Sequence, residues 1–272
     1  MQILLKILCL SILFGSISLE TKFNHLVDRR AKKSYPVKDK SIKEMNEDEL
    51  QLVIEYAKER NDSDLTFTAF FYLMSVCQDH ARMKNYKLDL ADYTYSLQYY
   101  EKAAKAYEEF CLLYPGSKES EYAQYKLILC TFFISLEADR DQHDTVKTIN
   151  LIVHFMQKAK DQKFIDEVQS IFKTCRKRLF LHEVIVFETY LKQQKFSGAK
   201  KRLEYMQDKF KDIENIEKYL VYLEKVYDMV KNPKTRPFYF TLNIEDALKD
   251  SKSEKKKISK KEAKKAVSFF VA

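Results

Sequence analysis

The sequence contains little of what phosphate-binding or turn-rich proteins need. Only 3 Gly and 4 Pro occur among 272 residues, and Gly15, Gly116 and Gly198 lie far apart. Rossmann and P-loop phosphate sites need glycines clustered within one turn, so both classes are excluded. A β-rich fold with many tight turns is disfavoured for the same reason. The remaining composition, 46% hydrophobic and 32% charged, favours a helical protein.

The common patterns of metal and nucleophilic sites are missing as well. No CxxC pair occurs among the 5 cysteines, which excludes a zinc knuckle or a thioredoxin-type motif. His182 and Glu183 begin an HExxH-like pattern, but Val186 occupies the position of the second zinc ligand. Cys175 could share a helix face with His182, yet no activating base or oxyanion site accompanies the pair. We therefore expect no enzymatic activity, no metal and no cofactor.

Four cysteines beyond the N-terminal region each lie within an apolar helical pattern, where cysteine commonly packs as a small hydrophobic residue. A bridge between Cys111 and Cys130 stays open, because neighbouring helices in an oxidising compartment could bring the two together. The sequence leaves undecided the redox state of Cys77, Cys111, Cys130 and Cys175.

The formal net charge of +8 is concentrated in the flanks of the chain. Nine lysines stand against three acidic residues over 249–265, whereas residues 46–248 are close to neutral. Such a distribution is typical of a solvated basic tail on a near-neutral body. We interpret residues 233–272 as a basic tail, disordered or partly helical, and expect no nucleic-acid partner.

The N-terminus has the pattern of a secretory signal. Residues 3–17 are almost wholly apolar, which is shorter than a membrane span of ~20 residues, and small residues precede a cleavage position after Ser18. We expect residues 1–18 to be a signal peptide and 19–45 a flexible linker, with an uncleaved anchor as the alternative. Cys9 lies too early in the apolar run for a lipidated cysteine, so we interpret it as an apolar filler.

Apolar residues recur every three or four positions along residues 46–232, as in amphipathic helices. Polar or Pro/Gly breaks divide this helical domain into nine or ten predicted antiparallel helices. The clearest periodicity runs without interruption over 93–114, on one helical face. Separate helices are predicted over 163–181 and 182–193.

One spacing recurs within this pattern and is typical of helical repeats. The frame begins with a small residue, where two helices cross closely. A large apolar residue follows four positions after it and another apolar residue seven positions after it. A proline twelve positions after it can end the helix. The frame occurs fully at Ala103, again at Ala199, and more weakly at Thr148. We predict an all-α fold, an irregular tetratricopeptide-like helical-hairpin solenoid of about five repeats. The repeat-packing residues are Ala103, Tyr107, Phe110, Pro115, Ala199 and Leu203.

The 18 tyrosines favour a binding role for the repeats. Stacked helical hairpins expose a groove, and tyrosine offers a large contact area and a directional hydroxyl at low rotamer cost. The predicted peptide-groove residues are Tyr86, Tyr93, Tyr95, Tyr99 and Tyr100.

Several collinear segments between Tyr100 and Tyr227 resemble one family. They are residues 103–125, with a Tyr-Pro-Gly-Ser turn, the Arg-Asp-Gln loop at 140–145, the helix start at 175–183, and residues 190–205. Together they are similar to BamD, the tetratricopeptide outer-membrane lipoproteins that assist β-barrel assembly. The chain departs from the family pattern in its lipidation cysteine and in two Tyr-Pro turns, replaced at 159–163 and 210–211.

The resemblance implies a non-catalytic periplasmic scaffold associated with the outer membrane. Its implied partners are the periplasmic domains of the barrel-forming assembly subunit and unfolded β-barrel substrates. Arg202 matches the family arginine implicated in docking, and the loop residues Arg140, Asp141 and Gln142 are the further predicted partner-binding positions. The alternative is a tetratricopeptide adaptor, cytosolic or anchored at the inner membrane, that binds a chaperone or regulatory partner.

Overall fold

The computed structural model describes residues 37, 40–237 and 242, so the predicted signal peptide and most of the predicted linker and basic tail lie outside the described residues. Within the described part the chain forms a short 3-10 helix (Ile42–Glu44) and nine α-helices, and no strand. The α-helices are α1 (Glu47–Glu59), α2 (Ser63–Val76), α3 (His80–Ser96), α4 (Tyr100–Leu113), α5 (Ser120–Ile134), α6 (His143–Met156), α7 (Gln162–Lys192), α8 (Phe196–Lys209) and α9 (Ile216–Lys231).

Three helices start with a side-chain cap. Asn46 accepts a hydrogen bond from the backbone N–H of Glu49, whose carboxylate accepts from the Asn46 N–H in return. Asp62 caps α2 and Asp161 caps α7 in the same general way. Each cap satisfies an amide that has no partner inside the helix. Ile42 lies before the first cap and is 1% exposed, so packed structure begins within the segment interpreted as linker.

Because glycine is scarce, three of the turns between helices place another residue in the left-handed conformation. Asn61, Gln98 and Gln194 adopt left-handed backbone angles, with φ of 55°, 61° and 56°. In each case the following N–H bonds the carbonyl five residues earlier, for example Tyr99 to the Thr94 carbonyl at 3.2 Å. This is a Schellman ending, for which glycine is the usual residue. Glutamine in this conformation costs about 1 kcal/mol, and the packing of the flanking helices offsets it.

Two of the predicted helix boundaries are wrong. The uninterrupted helix over 93–114 is broken, because the left-handed residue Gln98 ends α3 and starts the turn to α4. The two helices predicted to meet at residues 181–182 are one 31-residue helix, α7. Leu181 and Val184 are 1% and 0% exposed, so the buried stripe continues through the predicted break and no glycine or proline interrupts it.

The described residues fall into two compact units that divide between Leu90 and Ala91. In the first unit α1 packs against α2. In the second, each helix from α4 to α9 packs against the next, and α7 also contacts both α5 and α9. One apolar core joins α5, α6 and α7, and another joins α7, α8 and α9. This is hairpin stacking, and it confirms the prediction of an all-α tetratricopeptide-like fold.

The repeat frame falls at helix crossings. Ala103 in α4 and Ala199 in α8 are fully buried, which allows close approach of neighbouring helices. Tyr107 and Phe110 are also fully buried, and Leu203 is 6% exposed. Pro115 is exposed in the turn that follows α4.

The chain remains packed after α9, inside the stretch interpreted as the tail. Arg236 donates to the carbonyl of Val230 at 2.7 Å and to the side-chain carbonyl of Gln194 at 3.0 Å. Leu242 is 3% exposed and belongs to the core of α7, α8 and α9. The start of the basic segment therefore covers the last hairpin.

Candidate functional site

A surface rich in tyrosine is assembled in the second unit from α3, α4, α5 and α7. Along α5, positions 122, 126 and 133 lie on one helical face. Aromatic side chains of α3, α4 and α7 contact this face, so residues far apart in sequence meet. We call it the tyrosine surface, and its residues are Tyr95, Tyr100, Tyr122, Lys126, Phe133 and Phe164.

The centre of the tyrosine surface is a lysine held between aromatic rings. The Lys126 ammonium nitrogen lies 3.9 Å from the ring centre of Tyr95 and 5.7 Å from that of Tyr122. Only 9% of Lys126 is exposed. An ammonium over a ring face is attracted by the π quadrupole, and more strongly where water is excluded. The contact therefore fixes the Tyr95 ring of α3 against α5.

Carboxylates hold the tyrosine hydroxyls beneath this surface. Asp92 of α3 accepts from Tyr107 at 2.5 Å and from Tyr122 at 2.9 Å. Glu167 of α7 accepts from Tyr125. Burial, and next the Asp92 carboxylate, raise the pKa of Tyr107 well above its usual value, so its hydroxyl remains a donor at working pH.

Ring stacking adds to this rigidity. Tyr100 stacks on Phe133 with ring centres 4.8 Å apart, and Phe164 stacks on Tyr125 at 4.6 Å. Tyr95 meets Tyr100 edge to face at 5.6 Å. Rings in such arrangements gain energy beyond their buried area. The result is a set of half-buried rings that are fixed relative to one another.

The structure brings together only some of the tyrosines proposed from the sequence. Tyr95 and Tyr100 belong to the tyrosine surface. Tyr93 is half-buried, and Tyr99 is 46% exposed. Tyr86 belongs to the first unit, where it is 7% exposed and its hydroxyl bonds to side chains of α1.

Sequence reasoning missed the contributions of α5 and α7 to this surface. Tyr122, Lys126 and Phe133 recur with helical spacing, which was a usable signal for a shared face. Phe164 and Glu167 carry no local signal, because only packing of α7 against α5 brings them there.

Arg202 lies at the crossing of α7 and α8. Its Nη1 donates to Glu183 Oε2 at 2.8 Å, and the side chains of Arg202 and Glu183 are 39% and 14% exposed. The ion pair fixes the direction of the guanidinium while leaving part of it open to solvent. A guanidinium placed in this way can grip a carboxylate or backbone carbonyl of another chain.

The three loop residues proposed as partner-binding have different environments. Gln142 is 8% exposed, and its amide donates to the carbonyls of Glu137 at 2.7 Å and Arg140 at 3.0 Å. Its carbonyl accepts from the Thr145 hydroxyl at 2.9 Å. Gln142 therefore shapes the loop, whereas Arg140 and Asp141 are exposed on it.

The four cysteines of the described residues are free thiols. Burial raises the pKa of Cys111 to about 11 and that of Cys130 to about 12, which makes both poor nucleophiles. Cys175 is fully buried in a core. His182 donates through Nδ1 to the Ala138 carbonyl at 2.8 Å, which is a structural contact.

Within residues 37, 40–237 and 242, no group of three or more His, Cys, Asp or Glu side chains is placed to hold a metal ion. None of the described helices combines the length and the apolarity that a bilayer crossing requires.

Comparison with known proteins places these features in a family. The YfiO family model, described as outer membrane lipoprotein, matches residues 56–236. No curated protein matches the chain. The matched range includes α2 to α9, and with them the tyrosine surface, the loop and Arg202. It supports the resemblance to BamD at the level of the domain. Because the match covers more than half of the sequence, the chain belongs to the YfiO family of outer membrane lipoproteins.

Proposed function

We propose that the chain is a non-catalytic, BamD-like scaffold in the assembly of outer-membrane β-barrel proteins. Membership of a family of outer membrane lipoproteins supports the envelope location and the assembly role. The structural observation that carries the proposal is the tyrosine surface, since its rings are held in place before any partner binds.

The tyrosine surface is suited to an unfolded barrel strand. An extended segment presents every second side chain on one side, and its backbone groups are unpaired before folding. Half-buried rings such as Tyr95, Tyr100 and Tyr122 can receive apolar side chains of that segment. Because hydroxyl and ring contacts hold these rings in advance, little side-chain entropy is lost on binding.

A second contact region would hold the barrel-forming assembly subunit through its periplasmic domains. Arg202 supports this role by its exposure and by the Glu183 contact that directs it. Arg140 and Asp141 add an exposed charge of each sign on a loop that Gln142 shapes. Polar contacts of this kind set register and orientation more than affinity.

The proposal includes export to the periplasm with removal of residues 1–18. Since Cys9 does not fit a lipidated cysteine, attachment at the outer membrane would come from the barrel-forming partner. An adaptor that binds a chaperone in the cytosol or at the inner membrane predicts instead that Met1 is retained.

A peptide titration tests the groove. The purified protein is titrated into a fluorescent peptide that carries an aromatic residue at every second position, and anisotropy is recorded. We expect Tyr122→Ala to weaken binding about tenfold, which corresponds to ~1.4 kcal/mol. Tyr205→Ala is the matched control, because Tyr205 is a tyrosine of α8, 42% exposed, outside the tyrosine surface. No binding, or equal weakening by both variants, would refute the groove.

A further inference from the structure

The turn between α5 and α6 is pinned to the middle of α7 by two polar contacts. Arg178 donates from Nη1 to the Ser135 hydroxyl oxygen at 2.6 Å. His182, one helical turn later, donates to the Ala138 carbonyl at 2.8 Å. We call this region the α5–α7 joint, and its residues are Ser135, Glu137, Ala138, Arg178 and His182.

Arg178 is the largest fully buried side chain of the described residues, with 0% exposure. Its guanidinium carbon lies 5.4 Å from the ring centre of Phe132, which covers one side. Burial lowers the pKa of Arg178, but arginine starts so high that the group keeps its charge. The joint therefore contains a permanent cation removed from bulk solvent.

Three polar atoms of the joint are buried without a hydrogen-bond partner among the described residues. They are Nε and Nη2 of Arg178 and Oε2 of Glu137. Two are donors and the third is a carboxyl oxygen, so their requirements are complementary. Glu137 stands between Ser135 and Ala138, the two residues of the turn that contact α7, so its buried carboxyl oxygen belongs to the same joint. Buried polar atoms of folded proteins are nearly always satisfied, by protein or by ordered water.

We propose that the α5–α7 joint is an internal hydration site, in which one or two water molecules bridge the Arg178 guanidinium to the Glu137 carboxyl. Water fits because it accepts from the guanidinium and donates to the carboxyl at once. A halide ion could accept from the guanidinium, but it has no hydrogen to donate to the Glu137 carboxyl oxygen. Buried waters usually make about three hydrogen bonds, which matches the three buried atoms.

The bridge has a structural consequence that is independent of the proposed function. Glu137 is also the residue whose carbonyl accepts from Gln142, the side chain that shapes the following loop. A bound water would thus connect α7 to the base of the loop that carries Arg140 and Asp141. Two contacts would then hold the loop: the Gln142 side chain within the loop, and the water bridge from Arg178 to Glu137 at its base.

A high-resolution crystal structure of the protein tests this directly. We expect density for a water molecule within hydrogen-bond distance of Arg178 Nε or Nη2 and of Glu137 Oε2. A direct contact between the two side chains, an empty joint, or a halide signal after a bromide soak would each overturn the proposal.

Magnetic relaxation dispersion of the water nuclei supplies a test in solution, because it detects internal waters that exchange slowly with the bulk. We expect Arg178→Met to lose the contribution of one or two such waters. The matched control is Arg140→Met, since the Arg140 side chain is 72% exposed on the neighbouring loop, and it should leave the signal unchanged. An unchanged signal in Arg178→Met would overturn the proposal. The crystallographic test needs no variant, so it decides the matter even if Arg178→Met does not fold.

Discussion

Replacing Tyr107 by phenylalanine tests whether the buried hydroxyl network stabilises the second unit. Tyr107 is fully buried, so Tyr107→Phe removes the hydrogen bond to Asp92 while the ring stays in place and leaves no large cavity. A hydrogen bond to a carboxylate contributes about 2 kcal/mol when its loss leaves buried groups less satisfied. In a protein of this size a loss of that magnitude lowers Tm by about 4–8 °C.

The matched control is Tyr122→Phe, which removes the other hydroxyl bound to Asp92. Tyr122 is half-buried, so water can replace its hydroxyl and the loss should be about 0.5 kcal/mol. Urea and thermal unfolding followed by circular dichroism measure both variants. Equal losses, or a Tyr107→Phe variant as stable as the parent protein, would contradict the argument that burial makes the Tyr107 bond the stronger one.

Two further predictions concern the α7–α8–α9 region and the turns. The hydrogen bond from Arg176 lowers the pKa of Asp212, so the contribution of this pair to stability is complete at neutral pH and declines as pH falls below about 4. In urea titrations Asp212→Asn should cost under about 1 kcal/mol at pH 7, because Asp212 is half exposed, and progressively less as pH falls below about 4. Gly198→Ala brings a methyl carbon 3.3 Å from the ring of Tyr190, which is half-buried and can shift. The gain in helix propensity should therefore exceed the cost of this close contact and raise the free energy of unfolding by ~0.5 kcal/mol. The methyl group of Gly116→Ala meets nothing within 4 Å, so this control variant should gain a similar stability by lowering the entropy of the unfolded chain. A destabilised Gly198→Ala beside a stabilised Gly116→Ala would show that Tyr190 cannot move.

Local patterns were sufficient to predict the helical hairpins. The small-to-large spacing from Ala103 and the proline that follows it are signals within one helix and its turn, and α4 ends at Leu113. The break at Gln98 carried no such signal, because a glutamine there reaches a left-handed conformation only through the packing of α3 and α4. The predicted boundary between residues 181 and 182 is absent, because the buried stripe of α7 continues through Leu181 and Val184.

The candidate site was predictable only where its residues are close in sequence. Tyr95 and Tyr100 lie five positions apart on either side of one turn, and their grouping followed from the tyrosine-rich stretch. Lys126 and Phe164 come from α5 and α7, so their places depend on how three helices stack. Arg202 was found by resemblance, but its pairing with Glu183 required the crossing of α7 and α8.

Recovery of the partner from cells tests the assembly role most directly. The tagged native protein is purified from crosslinked cells, and mass spectrometry identifies both the captured proteins and the N-terminus of the bait. The account predicts capture of the barrel-forming outer-membrane assembly subunit by a bait that begins near Leu19. An intact Met1 together with only cytosolic or inner-membrane proteins would contradict it.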